Sequence, residues 1–145
     1  MEGLRQRADE VFMSKVNLDD LIGIPFMDCG RNKDGADCWG ITMLGFAKYG
    51  INVPDFLVSC FDSLKIHEEI NSQRVHWELL KEPEEPCLVV LKVSSRLPML
   101  CNHNGVYVGN GMFLHTFKKR NSVIEPINHM FWKNRIEGFY RYVGP

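Results

Sequence analysis

The sequence of 145 residues has few of the features that membrane-spanning or strongly charged proteins need. No apolar run is long enough to cross a bilayer, so we expect no membrane insertion. With 17 Lys and Arg against 18 Asp and Glu, the net charge of −1 argues against general electrostatic attraction to nucleic acid. The opening residues, MEGLRQRADEV, mix both charge signs and contain no apolar core, so we expect no secretion signal.

Cysteine is present, but not in the pattern of a disulfide framework or a zinc site. The five cysteines are an odd number, and none of them forms a closely spaced pair. This pattern favours free thiols in a chain made in a reducing cytosol, with no metal and no cofactor. One cysteine, Cys38, stands apart because it lies where a loop rich in glycine and aspartate, DGAD, meets the apolar run ITMLGFA.

The length suits one domain that spans residues 1–145, without internal repeats. We predict a helical extension over residues 1–20, including an amphipathic helix at 3–15, and a core domain over 21–145. Helical patterns fill the first half of the core, including the stretch DFLVSCFDSLKIHEEINSQ after Pro54. Short segments rich in β-branched and aromatic residues follow: CLVVLKVS, HNGVYVG, MFLHTF, SVIEPI and IEGFYRY. This order predicts an α+β domain with an antiparallel β-meander.

Cys38 is predicted to begin a buried helix over residues 38–49. Asp37 can cap this helix by accepting a backbone N–H, and Gly50 suits the left-handed position after its last turn. Apolar residues lie on nearly all sides of the helix, and close approach of another backbone would explain its two internal glycines. The partial positive charge of a helix start favours a thiolate, so we expect the pKa of Cys38 to be lowered.

Two histidines, His103 and His115, lie on strands joined by Gly109-Asn110-Gly111. A two-residue loop would place the two imidazoles on opposite faces of the hairpin. A three-residue loop with Gly111 in the left-handed position makes them diagonal neighbours on one face, with Gly105 opposite His115. We therefore predict the three-residue loop or an equivalent bulge.

A cysteine at a helix start and two imidazoles on one face form a possible catalytic set. His103 would act as the base for the Cys38 thiol, and His115 would orient His103, as the third member of a hydrolytic triad does. Two buried histidines that serve only packing remain the alternative for this hairpin.

The two segments resemble motifs of the NlpC-type cysteine peptidases of bacterial cell-wall turnover. The stretch LIGIPFMDCGRNKDGADCWG is similar to the family's loop that leads into Asp-Cys-x-Gly, and HNGVYVGNGMFLH is similar to its His-x-Gly-aliphatic-Tyr motif. The resemblance implies a papain-like α+β fold whose nucleophile helix packs on the meander, with Cys38, His103 and His115 as catalytic residues. It also implies cleavage of peptidoglycan stem peptides at a bond beside a D-isoglutamyl residue, without a cofactor.

The environment of the motifs suggests one branch of that family and a set of substrate contacts. Trp39 after the cysteine and the ending WKNRIEGFYRY are similar to members encoded with phage or prophage tail genes. The expected partners are then the stem peptide and other tail-tip proteins, and the expected location is a virion tail acting at the host cell wall. We expect Phe26, Asp37, Trp39 and Tyr107 to contact the substrate. Phe26 stands where members often have tyrosine, and Trp39 where many have serine.

Two other functions fit the same pattern. Trp39 and the absence of the tyrosine hydroxyl also suit a structural tail component whose site is degenerate or occluded. An acyltransferase is the other, since another nucleophile can resolve the same acyl-enzyme.

Overall fold

The computed structural model describes residues 16–145. The helix predicted at 3–15 lies outside them. Two α-helices are formed in this range, α1 at Cys38–Lys48 and α2 at Ser63–Gln73, with short 3₁₀ turns at Asp19–Leu21 and Arg74–His76. Neither is long and apolar enough to cross a membrane. Residues 55–62, which we predicted as helical, do not form a helix.

A six-stranded sheet forms the second half of the described chain. Its strands are β3 (Trp77–Leu80), β4 (Cys87–Leu91), β5 (His103–Tyr107), β6 (Met112–His115), β7 (Val123–Pro126) and β8 (Ile136–Tyr142). The first two strands of the chain, β1 (Arg31–Asn32) and β2 (Gly35–Ala36), form a separate small hairpin that precedes α1. The order in the large sheet is β3-β8-β4-β5-β6-β7, with antiparallel neighbours. Strands β4 to β7 form the predicted meander, whereas β8 returns to lie between β4 and β3, and the β3 strand was missed.

Helix α1 packs against the middle of this sheet. Apolar side chains from almost every side of the helix are buried, because the sheet covers one side and the N-terminal loops cover another. Gly45 faces β5 so closely that an added Cβ would lie 3.0 Å from a methyl group of Val106. At Gly40 an added Cβ would collide with the carbonyl oxygen of Gly30. The predicted close approach of another backbone is therefore confirmed at Gly40, whereas at Gly45 the close neighbours are the side chains of Val106 and Leu114.

The hairpin of β5 and β6 has the predicted register. Val106 pairs with Leu114 and Tyr107 pairs with Phe113, so the loop contains the three residues at 109–111. Gly111 has a φ of 72°, the left-handed conformation that this loop requires. Because side chains alternate along a strand, this register places His103 and His115 on the same face of the sheet.

Candidate active site

The N-terminus of α1 is fixed by the carboxylate of Asp37. One oxygen accepts the Gly40 N–H at 2.9 Å and a guanidinium N–H of Arg31 at 2.7 Å, and the other accepts the Cys29 N–H at 2.8 Å. Asp37 is 2% exposed, so its charge is neutralised mainly by Arg31 and these backbone donors. The predicted helix cap is confirmed, and the same contacts join the loop at 28–31 to the first turn that carries Cys38.

Cys38 is buried, with 8% of its surface exposed. Burial raises the pKa of the Cys38 thiol to about 12, and the neighbouring charge of Asp37 acts in the same direction. Both effects disfavour a thiolate. The expectation of a lowered pKa was wrong, because removal of the sulfur from water outweighs the partial charge of the helix start. Cys38 therefore rests as a neutral thiol.

The two predicted histidines are in direct contact, and a carboxylate extends the contact. His103 Nε2 lies 2.9 Å from His115 Nδ1, and His115 Nε2 lies 2.7 Å from Glu125 Oε1. The same oxygen of Glu125 accepts the indole N–H of Trp132 at 2.6 Å. We call the series His103, His115 and Glu125 the imidazole relay. It runs from the buried His103 to the partly exposed Glu125.

The relay determines where each proton lies. An ionised carboxylate only accepts, so His115 must donate to Glu125 through Nε2, which leaves His115 Nδ1 as an acceptor. His103 must then donate to that atom through its own Nε2. The remaining nitrogen of His103, Nδ1, carries a lone pair and is free to act as a base.

Burial keeps both imidazoles neutral. It lowers the pKa of His103 well below its ordinary value, and the charges of His115 and Lys118 lower it further. The pKa of His115 is also lowered by burial, although Glu125 acts in the opposite direction. A neutral His103 opposite a neutral Cys38 thiol can accept its proton only as the sulfur attacks, so the arrangement suits general-base catalysis rather than a resting ion pair.

Aromatic side chains enclose the relay. The Phe113 ring stacks on His115 with centroids 4.1 Å apart, and Trp132 stacks on His103 at 5.8 Å. Phe117 meets the edge of His103 at 5.3 Å. Because these rings leave little freedom for the imidazoles to rotate, they help to hold the hydrogen-bonded geometry of the relay. The face of the sheet that carries the two histidines is therefore filled by packed aromatic rings around the relay.

Cys38 and His103 line one small cavity. Its other lining residues are Phe26, Cys60, Val93, Asn102, Thr116, Phe117 and Lys118. A thiol and a basic imidazole nitrogen in one cavity can supply a nucleophile and its base for attack on a carbonyl carbon.

The four predicted substrate contacts have different positions. Phe26 lines the cavity beside Cys38. The carboxylate of Asp37 is used by the protein's own donors, as described above. Trp39 is 4% exposed, stacks on Phe56 and donates to the carbonyl oxygen of Pro54.

The structure places neither Trp39 nor Tyr107 in the wall of the cavity, and their contact with substrate stays a prediction. Each residue along an α-helix is rotated by about 100°, so Trp39 points into the core when Cys38 points to the cavity. Tyr107 lies beyond the histidines along β5, where its hydroxyl accepts the N–H of Gly111 at 2.9 Å and closes the hairpin loop.

Several residues at the site were not anticipated from the sequence. They are Thr42, Asn104, Lys118, Glu125 and Trp132. An acidic residue in the otherwise apolar strand SVIEPI was the available signal for Glu125, which pairs with Phe113 and so shares the face of His115.

A second group of polar side chains lies beside the site. Donor atoms of Asp28, Cys29 and Asp37 lie within 4.8 Å of one another, as metal ligands would. Both carboxylates, however, accept hydrogen bonds from the protein, including the Cys60 N–H and the Ser59 hydroxyl on Asp28, each at 2.7 Å. These carboxylates therefore have a structural role in holding the loops around Cys38.

The fold and the cavity together define a papain-like α+β domain with a candidate thiol-hydrolase site. The model of the NlpC/P60 family matches residues 23–141, and the chain belongs to that family. Among curated proteins, none matches this chain in sequence.

Solved structures with the same fold include members of this family. NlpC1 from Trichomonas vaginalis superposes with a TM-score of 0.63 at 19% identity, over 86% of this chain and 41% of that protein. The NlpC/P60 domain of the peptidoglycan hydrolase SagA gives 0.55 at 15%, over 83% of this chain and 89% of that domain. The peptidoglycan hydrolase RipB from Mycobacterium tuberculosis superposes with a TM-score of 0.51 at 17% identity, over 97% of this chain and 66% of that protein. This chain therefore spans about two fifths of the length of the Trichomonas protein, and at these identities the likeness shows the fold.

Proposed function

We propose that this chain is a cysteine endopeptidase that hydrolyses peptidoglycan stem peptides at a bond beside a D-isoglutamyl residue. The observation that carries the proposal is the imidazole relay, which leaves Nδ1 of His103 as a free base, together with the cavity that His103 and Cys38 both line. The substrate class comes from the family and from SagA and RipB, which are named as peptidoglycan hydrolases.

The first half of the reaction forms a thioester. As the Cys38 sulfur attacks the carbonyl carbon, its proton moves to His103 Nδ1, and His115 and Glu125 stabilise the resulting imidazolium. Backbone N–H groups at the start of α1 are the available donors for the oxyanion, because Phe26 has no hydroxyl to offer. Collapse of the tetrahedral intermediate breaks the C–N bond, and His103 gives its proton to the leaving amine.

Water completes the cycle. His103, now neutral again, accepts a proton from a water molecule that attacks the thioester carbonyl. Collapse of this second intermediate releases the carboxylic acid and returns the proton to the Cys38 sulfur.

The proposal extends to where the enzyme acts. The similarity of Trp39 and of the segment WKNRIEGFYRY to phage-tail members supports a component of a virion tail that opens the host cell wall locally. The other tail-tip proteins would then be its partners.

A structural protein with an occluded site is the second candidate function. The observation that favours it is the burial of Cys38, which is only 8% exposed.

Digestion of purified peptidoglycan separates these two functions. We expect the protein to release new amino termini, and Cys38→Ala to release none. Cys29→Ser is the matched control, because it also removes one thiol near α1 but leaves the cavity lining intact, so its activity should equal that of the parent. Absence of new termini with the parent protein, on walls of differing cross-link chemistry, would support the structural role.

A further inference from the structure

A hydrogen-bonded contact reaches Cys38 from the face of β5 opposite His103. Asn104 follows His103 on the strand, and its side chain points toward α1 because neighbouring residues on a strand face opposite ways. Its Nδ2 lies 3.7 Å from the Cys38 sulfur. Its Oδ1 accepts the hydroxyl proton of Thr42 at 2.7 Å. Asn104 is 1% exposed and Thr42 is fully buried.

Thr42 determines which end of the amide faces the sulfur. The hydroxyl lies one turn after Cys38 on α1, and its contact with Oδ1 turns the NH₂ group of Asn104 toward Cys38. Burying an amide and a hydroxyl costs free energy unless both groups form hydrogen bonds. The hydrogen-bonded pair of Thr42 and Asn104 is therefore a specific feature of the site. In the motif His-x-Gly, Asn104 is the unspecified middle residue, so the motif assigns it no role.

An N–H donor at this place matters most when the sulfur is charged. A hydrogen bond to a charged group is stronger than one between neutral groups, so this contact strengthens when the Cys38 proton moves to His103. An amide does not titrate, so the donor is present at every working pH. Burial raises the pKa of Cys38, while hydrogen bonding from the Asn104 backbone opposes that rise.

We propose that Asn104 is a catalytic residue that donates a hydrogen bond from Nδ2 to the Cys38 thiolate formed during attack, and that Thr42 positions its amide. The inference rests on the proposed role of Cys38 as the nucleophile. It adds a second partner of the sulfur beside the base His103, distinct from the oxyanion donors, which bind the carbonyl oxygen of the substrate.

The test measures thiolate formation directly and needs no peptidoglycan. The rate at which iodoacetamide alkylates Cys38 is followed from pH 7 to 10, below the pKa of about 12, where the rate is proportional to the thiolate fraction. The modified Cys38 peptide is quantified by mass spectrometry after digestion. Replacing Asn104 with leucine keeps the volume and removes the donor, while its backbone remains. We expect the Asn104→Leu rate to be about tenfold lower than the parent rate at every pH in this range. Asn104→Asp, which places a carboxylate at the sulfur, should be slower still.

Variants of Thr42 separate positioning from packing. Thr42→Ser keeps the hydroxyl and should keep the parent rates, whereas Thr42→Val keeps the shape, loses the hydroxyl and should lower the rate as Asn104→Leu does. A change in packing alone would affect Thr42→Ser, which loses a methyl group, more than Thr42→Val, which keeps the shape. Circular dichroism and thermal melts establish that each variant is folded, and Thr42→Val provides the comparison where Asn104→Leu is unfolded.

Two results would overturn the inference. One is an alkylation rate of Asn104→Leu, or of Thr42→Val, equal to that of the parent. The other is a faster rate. Either can occur while the parent cleaves peptidoglycan, and a slower rate can occur in a protein that cleaves none, so failure of this inference is distinguishable from failure of the proposed function.

Discussion

The two faces of strand β5 bring different chemistry to the same sulfur. On one face, His103 begins the imidazole relay, which ends at the partly exposed carboxylate of Glu125. On the other face, Asn104 and Thr42 form a short, neutral pair that is sealed from solvent. The comparison teaches that one strand can supply both a base for the Cys38 proton, His103, and a hydrogen-bond donor that does not titrate, Asn104. This requires that the start of α1 lies near the end of the strand.

The largest expected effect comes from removing the base on the relay face. His103→Gln keeps a polar side chain of similar size but cannot accept the proton from Cys38, so cleavage should slow by about 10²- to 10⁴-fold. The initial rate of muropeptide cleavage is the measurement. A loss of less than about threefold would mean that the relay face does not carry the proton, and the comparison would fail.

The relay face should also make the protein sensitive to acid. The pKa values of His103 and His115 lie below the unfolded value of 6.5, so the unfolded chain binds more protons between those values and 6.5. The free energy of unfolding should therefore be fully retained above pH 6.5 and fall on acidification, by up to roughly 2 kcal/mol for His103 between pH 7 and 5. Urea titrations at the two pH values measure this loss. His103→Gln should lose less than the parent, and an equal loss would contradict the assignment.

A smaller effect should come from the far end of the relay. Glu125→Leu removes the acceptor that fixes the His115 tautomer, and cleavage should fall about tenfold, since a hydrogen bond to a charged group is lost. Trp132→Phe should slow cleavage less than Glu125→Leu does, because it removes one donor to Glu125 and keeps an aromatic ring. Unchanged kcat in Glu125→Leu would show that the tautomer of His115 is fixed by something else.

The smallest effect should come from the rim of the cavity. The charge of Lys118 lowers the pKa of His103, and solvent screens it because Lys118 is exposed. In Lys118→Met, the acid limb of the pH–rate profile should therefore move to higher pH by only a few tenths of a pH unit. Lys119→Met, also exposed and adjacent in sequence, should leave the limb in place. Equal shifts in the two variants would mean that net charge, rather than proximity to His103, is responsible.

The parts of the site that local rules govern were predictable from the sequence. The register of β5 and β6 follows from the glycines of a short loop, and the cap of α1 follows from Asp37 before an apolar run. Glu125 was missed because a longer connection joins β6 to β7, and no turn rule fixes their register. Asn104 was missed because alternation assigns it to the face opposite His103, and only the tertiary position of α1 brings both faces to Cys38.

Two features of the site depend on information that a motif does not contain. Trp39 adjoins Cys38 in sequence, and the rotation of the helix directs it into the core against Phe56 and Trp77. The expected low pKa of Cys38 depended on the helix start alone, whereas the depth of burial, which the sequence does not reveal, dominates.

The most direct test of the central claim is a digest of defined muropeptides, with products identified by mass spectrometry. The account predicts fragments cut beside the D-isoglutamyl residue, formed by the parent protein and by Cys29→Ser but not by Cys38→Ala. Intact muropeptides with the parent protein, or the same fragments from Cys38→Ala, would contradict it.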